Sequence, residues 1–334
     1  MHRSGSSLLA GMLAKNGFDV GPDEELLAPK PDNPKGFWER RDVVELNERV
    51  IGGEHNSHLV PRLERENELS KELQQRIEDL AGELSNNSVT LLKDPRFCIT
   101  LKYWVPYLDN PKIVLLHRDP IEVAKSLNKR QSYPITGGLA LWEFYNAAAI
   151  AQCANINTHY VSFNELITEP KKVLENICHW YYPMTSELQD IVVDHFDQKL
   201  VHHSSDLNSR SRLSDSQKSL VDFLNNPNST PDLVNEVSIS SDSALRVLGV
   251  LEEMSQIGYH AGSGRLIDEA AANELDDLRF TKKNSTEEVI FFRRNVANII
   301  NSKLGRLMLR LYSIRAPFNK SDQTSSLQKL KERL

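Results

Sequence analysis

The first residues of the chain, Met1-His2-Arg3-Ser4-Gly5-Ser6-Ser7-Leu8, carry the residue types of an anion site. Arg3 brings a permanent positive charge, Gly5 lets the backbone approach a ligand closely, and Ser6 and Ser7 add hydroxyl donors. Leu8, Leu9, Met12 and Leu13 follow at helical spacing. The turn therefore feeds a helix whose first N–H groups point at whatever anion sits there. Alone, Ser-Gly-Ser serves equally well as an ordinary helix cap.

A second segment agrees with the anion reading. From Lys112 the chain reads Ile113-Val114-Leu115-Leu116-His117-Arg118-Asp119-Pro120 and reaches Ser126 two turns later. The short apolar run fits a buried parallel strand, Arg118 stands at its C-terminal edge, and Pro120 suits the opening of a helix. Ligands of open α/β sheets bind at that edge. An arginine there, with a hydroxyl in the following helix, can converge on one phosphate.

Together the two segments resemble the sulfotransferases that use 3′-phosphoadenosine 5′-phosphosulfate (PAPS). The loop from His2 to Leu8 is similar to that family's 5′-phosphosulfate loop, which implies cofactor contacts from Arg3, Ser4, Gly5, Ser6, Ser7 and Leu8. Arg118 and Ser126 match its 3′-phosphate motif. Asn33-Pro34-Lys35-Gly36-Phe37-Trp38-Glu39 and Lys93-Asp94-Pro95-Arg96 look like the bacterial-type branch. The stretch from Phe163 to Pro170 is similar to a strand-end motif that usually begins with tyrosine; Phe163 lacks the hydroxyl and takes no role. The resemblance spans residues 1–205. It implies a P-loop-type three-layer α/β fold, a central parallel sheet flanked by helices.

The elements needed to position these residues are legible in outline. Strands are expected at residues 89–93, 113–116 and 159–163, alternating with helices at 41–51, 64–84, 99–108, 139–153 and 174–180, as in a parallel sheet covered on both faces. A phosphate loop of this kind follows a strand, yet here it begins at Met1. Two expectations stand: a first strand preceding Met1 in a longer chain, near the centre of the sheet, where its absence exposes unpaired backbone edges, or a loop that starts at Met1, is tethered on one side only and binds cofactor weakly.

Transfer of a sulfuryl group resembles phosphoryl transfer, with charge building on the leaving 5′-phosphate. Arg3, where many family members carry lysine, the loop amides and Lys93 supply positive charge and donors there. The acceptor, a hydroxyl or amine with glycans among the candidates, must lose a proton. Three carboxylates compete as base: Glu39 first, beside the aromatic Phe37 and Trp38, then Glu24, then Asp94. Because the donor itself carries the activated group, no metal is required.

Composition sets the outer limits. The 334 residues are 40% hydrophobic and 26% charged, ordinary for a globular chain, and the net charge of −6 speaks against a nucleic-acid partner. Three scattered cysteines fit small buried hydrophobes in a reducing, cytoplasmic setting. His55 and His58 lack a third metal ligand and read as loop histidines. Residues 206–334 are expected to form a mainly helical extension. In it a basic amphipathic helix at about 285–315 fits either packing on the main domain or a second copy, or a peripheral membrane contact. A second enzyme reading, a P-loop kinase using ATP, needs a Gly-x-x-x-x-Gly-Lys-Ser/Thr loop, which the sequence lacks. A catalytically inactive relative that binds a partner or membrane through this helix stays open as the alternative.

Overall fold

In the computed structural model, which describes residues 1–30, 33, 35–51, 69–86, 90–131, 133–181, 213–227 and 234–256, helices alternate with two strands. The order is α1 (Ser6–Lys15), α2 (Arg41–Ile51), α3 (Lys71–Asn86), α4 (Phe97–Trp104), β1 (Ile113–His117), α5 (Pro120–Gln131), α6 (Ile135–Cys153), β2 (Thr158–Ser162), α7 (Phe163–Thr168), α8 (Pro170–Tyr181), α9 (Asp215–Asn225), α10 (Val234–Val237) and α11 (Asp242–Gln256). The basic stretch at 285–315 and the pair His55 and His58 lie outside the described residues.

β1 and β2 run parallel, in register from Ile113 opposite Thr158 to His117 opposite Ser162. Parallel neighbours need a crossover, which α5 and α6 provide. Alternation along β1 sends successive side chains to opposite faces. Leu115 joins a cluster with Leu141, Trp142 and Tyr145 of α6, whereas Leu116 joins Met12 and Leu13 of α1 and Leu166 and Leu174 of α7 and α8. α6 is buried on nearly every side, in keeping with its almost uniformly apolar sequence. The described helices past residue 205 pack into the same cluster, through Phe223 of α9 and Leu248 of α11. A third cluster, around the fully buried Trp104, ties α2 and α3 to α4.

Two sequence expectations are corrected. Residues 90–93, predicted as a strand, carry no ladder, and the described sheet has two strands rather than three. The apolar run is present, but the amides of Thr90 and Leu91 donate to the Asp19 carbonyl at 2.9 and 2.8 Å instead of to a neighbouring strand. The helix predicted at 99–108 starts earlier, at Phe97, and tightens into a 3₁₀ turn at Val105–Tyr107, where Pro106 cannot continue the α-helical bonding. Among the described residues, no helix is long and apolar enough to cross a membrane.

Glycine decides the spacing of α5 and α6. A Cβ on Gly138 would stand 2.9 Å from the Ala124 backbone, which cannot give way, whereas one on Gly82 of α3 would meet nothing within 4 Å. The expected outcome is that Gly138→Ala lowers stability by about 1–3 kcal/mol through overpacking. Gly82→Ala should raise it by up to about 1 kcal/mol through helix propensity. Urea midpoints of the two variants check the contrast.

Candidate functional site

The opening turn is shaped by backbone conformation. Gly5 sits at φ 91° as the N-cap of α1, and no side chain caps the helix. A Cβ at Gly5 would collide with the Phe163 ring, so the absence of a side chain is what lets the turn lie against the end of β2. The Leu8 and Leu9 amides donate to the Gly5 carbonyl at 3.0 and 3.1 Å. Leu8 is thus turned into the helix, while the Ser6 and Ser7 amides have no backbone acceptor among the described residues. Ser4 is 1% exposed, and its Oγ has no hydrogen-bond partner among the described residues. A buried hydroxyl without a partner is a costly arrangement in a finished protein and a natural one in a ligand site. Arg3 adds its own strain, with φ at 64°.

The second predicted segment lies against the first. Arg3 Nε donates to Ser126 Oγ at 2.9 Å, across 123 residues of sequence. Arg118 reaches the Arg3 carbonyl at 3.4 Å, stacks its guanidinium 4.2 Å from the Phe163 ring centroid, and pairs with Glu122 at 2.8 Å. Local sequence fixes these positions. Asp119 accepts from the Glu122 amide at 3.0 Å and so opens α5 behind Pro120. The Trp142 indole donates to the Arg118 carbonyl at 2.9 Å and anchors the end of β1 to α6.

Lys93 and Glu39 form the third part. Lys93 Nζ donates to Ser7 Oγ at 3.1 Å and to a Glu39 carboxylate oxygen, and both charged side chains are largely buried. Burial pushes the Glu39 carboxyl above its ordinary range, and neighbouring Lys93 offsets part of that rise. Two adjacent residues of α2 clamp the turn after Lys93. Asn47 Nδ2 donates to Asp94 at 2.8 Å, and Glu48 pairs with Arg96 at 2.6 Å. The Asn47 carbonyl oxygen in turn accepts from Thr100 at 2.8 Å and from the Trp104 indole at 2.9 Å, so the clamp is rooted in the core.

The geometry sorts the sequence-predicted residues. Arg3, Ser4, Gly5, Ser6, Ser7, Arg118, Ser126, Lys93 and Glu39 come together at the strand ends, joined by the bonds above. Among the candidate bases, Asp94 has both carboxylate oxygens committed, to Arg96 and to Asn47. Glu24 is exposed on the 3₁₀ turn Asp23–Glu25, and its carboxylate makes no bond to the other site residues. Glu39 is the carboxylate that meets a predicted cation of the site. Phe163 and Asn47 were not anticipated. Phe163's contact with Gly5 has no local signature, while Asn47, a polar residue on the apolar side of α2, carried a readable one.

A family model described as the sulfotransferase family matches residues 1–181. No curated protein and no solved structure matches the chain.

The raised Glu39 carboxyl has a consequence for stability. Between the ordinary carboxylate range and its raised value, the folded protein keeps a proton that the unfolded chain has released. The contribution of this group is therefore full at low pH and falls as pH rises through that window. Glu39→Gln should flatten the decline, seen as a urea midpoint that gains on the parent from about pH 4 to pH 7. A parallel pair of pH profiles would contradict the assignment.

Proposed function

Because the chain belongs to the sulfotransferase family, we propose that it transfers the sulfuryl group of PAPS to a hydroxyl or amine acceptor, glycans being one such class. The observation that carries the reading is the Arg3–Ser126 bond, which brings the opening loop and the Arg118 segment into one site. The loop amides and hydroxyls of Ser6 and Ser7, with Arg3, would hold the 5′-phosphosulfate. Arg118 and Ser126 would hold the 3′-phosphate, with Arg118 exchanging its Glu122 partner for the stronger anion.

In the reaction the acceptor oxygen or nitrogen bonds to sulfur as the bond from sulfur to the 5′-phosphate oxygen breaks. The electron pair departs with adenosine 3′,5′-bisphosphate, and the acceptor proton passes to Glu39. Lys93, bonded to Ser7 on one side and Glu39 on the other, would stand between the charge that builds on the leaving oxygen and the base. Desolvation of Glu39 raises its proton affinity, which suits a general base. Electrostatic preorganisation of this kind is worth several kcal/mol in enzymes that stabilise a leaving anion.

Calorimetric titration with adenosine 3′,5′-bisphosphate tests the reading. Arg118→Ala should weaken binding at least tenfold, or about 1.4 kcal/mol. Glu39→Gln should keep nucleotide binding and lose transfer from PAPS. A folded protein that ignores this nucleotide would refute the proposal.

A further inference from the structure

The loop that follows α1 and the residues just before α2 meet around one buried arginine. Arg40 is 9% exposed, and its guanidinium is gripped from two sides. Asp42 accepts from Nε at 3.2 Å and from Nη2 at 2.6 Å, and Glu25 pairs with Nη1 at 2.5 Å. The planar fork of an arginine fits this grip, and the single ammonium of a lysine does not. A Cβ on Gly21 would collide with Nη1, so the loop is drawn in against the guanidinium itself. The Gly21 amide donates to Asp19 Oδ1 at 2.7 Å, and the Asp19 amide donates to Thr90 Oγ1 at 2.8 Å. The arginine is thereby tied to the segment that leads to Lys93.

The backbone carries the grip one residue further, to Glu39. Arg40 and Leu26 form an antiparallel bridge, and the Leu27 amide donates to the Glu39 carbonyl at 2.8 Å. The Arg40 carbonyl accepts from the Val44 amide at 3.0 Å and so opens α2. Successive side chains of extended backbone leave on opposite sides. Arg40 accordingly goes to Glu25 and Asp42, while Glu39 goes to Lys93. Before Glu39 stands Trp38, at φ 59°. A left-handed backbone is unfavourable for so bulky a residue and persists only where neighbouring contacts enforce it. The Leu27 bond and the gripped arginine follow immediately after.

We propose that Arg40 is the positioning residue of this site: gripped by Glu25 and Asp42, it sets where the Glu39 carboxylate meets Lys93. Its guanidinium works from the far side of the backbone, through the Leu26 bridge and the turn at Trp38. Both partners of the Lys93–Glu39 pair are thus referred to one fixed point, Glu39 by sequence adjacency and Lys93 through Asp19 and Thr90. The inference rests on the proposed reaction only in calling Glu39 the base. The placement itself is measurable without turnover.

The test is an NMR titration of the Glu39 carboxyl carbon, with calorimetric affinity for adenosine 3′,5′-bisphosphate and transfer from PAPS measured beside it. It compares the full chain with Arg40→Met, Arg40→Lys and the milder Asp42→Asn. Asp42→Asn keeps an oxygen for the Val43 amide, bonded at 2.7 Å, so α2 retains its first turn and this variant serves where Arg40→Met does not fold. In the parent, burial holds the Glu39 carboxyl above its ordinary range, with Lys93, Asp94 and Arg96 as the charges around it. Releasing the guanidinium should free that carboxyl to reach water and titrate in the ordinary carboxylate range. The nucleotide Kd should stay within about twofold, while kcat falls about 10-fold or more through misplacement of the base. Arg40→Lys should recover only part of the change. An arginine that merely stabilises the fold would lower the urea midpoint and leave the Glu39 titration where it was; that result in folded variants overturns the proposal. A parent chain that neither binds the nucleotide nor transfers from PAPS would instead refute the proposed reaction, and the titration would still decide the role of Arg40.

Discussion

The close approach of the first five residues to the ends of the two strands is the constraint on which the site depends. It is possible because Gly5 offers no side chain to the Phe163 ring, and because Arg3 accepts a left-handed backbone. Strain of this kind costs on the order of 1–3 kcal/mol per residue and persists only where the surroundings over-determine it. Here the surroundings are identifiable. Met12 and Leu13 fasten α1 to the core, Ser126 holds the Arg3 guanidinium, and the Trp142 indole holds the end of β1. The turn is left with a buried hydroxyl and open helical amides, with Arg118 at the Arg3 carbonyl and Lys93 at Ser7.

Charge balance explains how such a concentration of cations is tolerated. Arg118 leans on Glu122 and on the face of Phe163, and Lys93 leans on Glu39. A separate chain, Asp94–Arg96–Glu48, is tied to the core through Asn47 and Trp104. The site thus separates into cations paired singly beside the loop and an ionic frame held by α2. Removing one member of the frame would leave a buried charge uncompensated, so its cost would appear as lost stability rather than altered ligand affinity.

Much of this was legible in the residues, and the gaps have physical causes. The loop and the Arg118–Ser126 segment could be read because glycine, proline and arginine constrain backbone and charge locally. Glu39 and Lys93 each stand out in the sequence, but their pairing spans 54 residues, which no local pattern specifies. In sequence Phe163 is conspicuous only for the hydroxyl it lacks, whereas its ring is what Gly5 and Arg118 both approach. Residues 90–93 show the limit of periodicity. Their apolar run is what a buried strand requires, yet a strand exists only when a neighbour supplies its hydrogen bonds, and none of the described residues does.

The central claim is that Arg3 and Ser126, distant in sequence, act on one nucleotide. A double-mutant cycle with Arg3→Gln and Ser126→Ala, read as calorimetric affinity for adenosine 3′,5′-bisphosphate, tests it most directly. Residues of one site should be coupled by about 0.5–3 kcal/mol, so the double variant should lose clearly less, or clearly more, than the sum of the single losses. Strictly additive losses would place the two residues in separate sites and contradict the account.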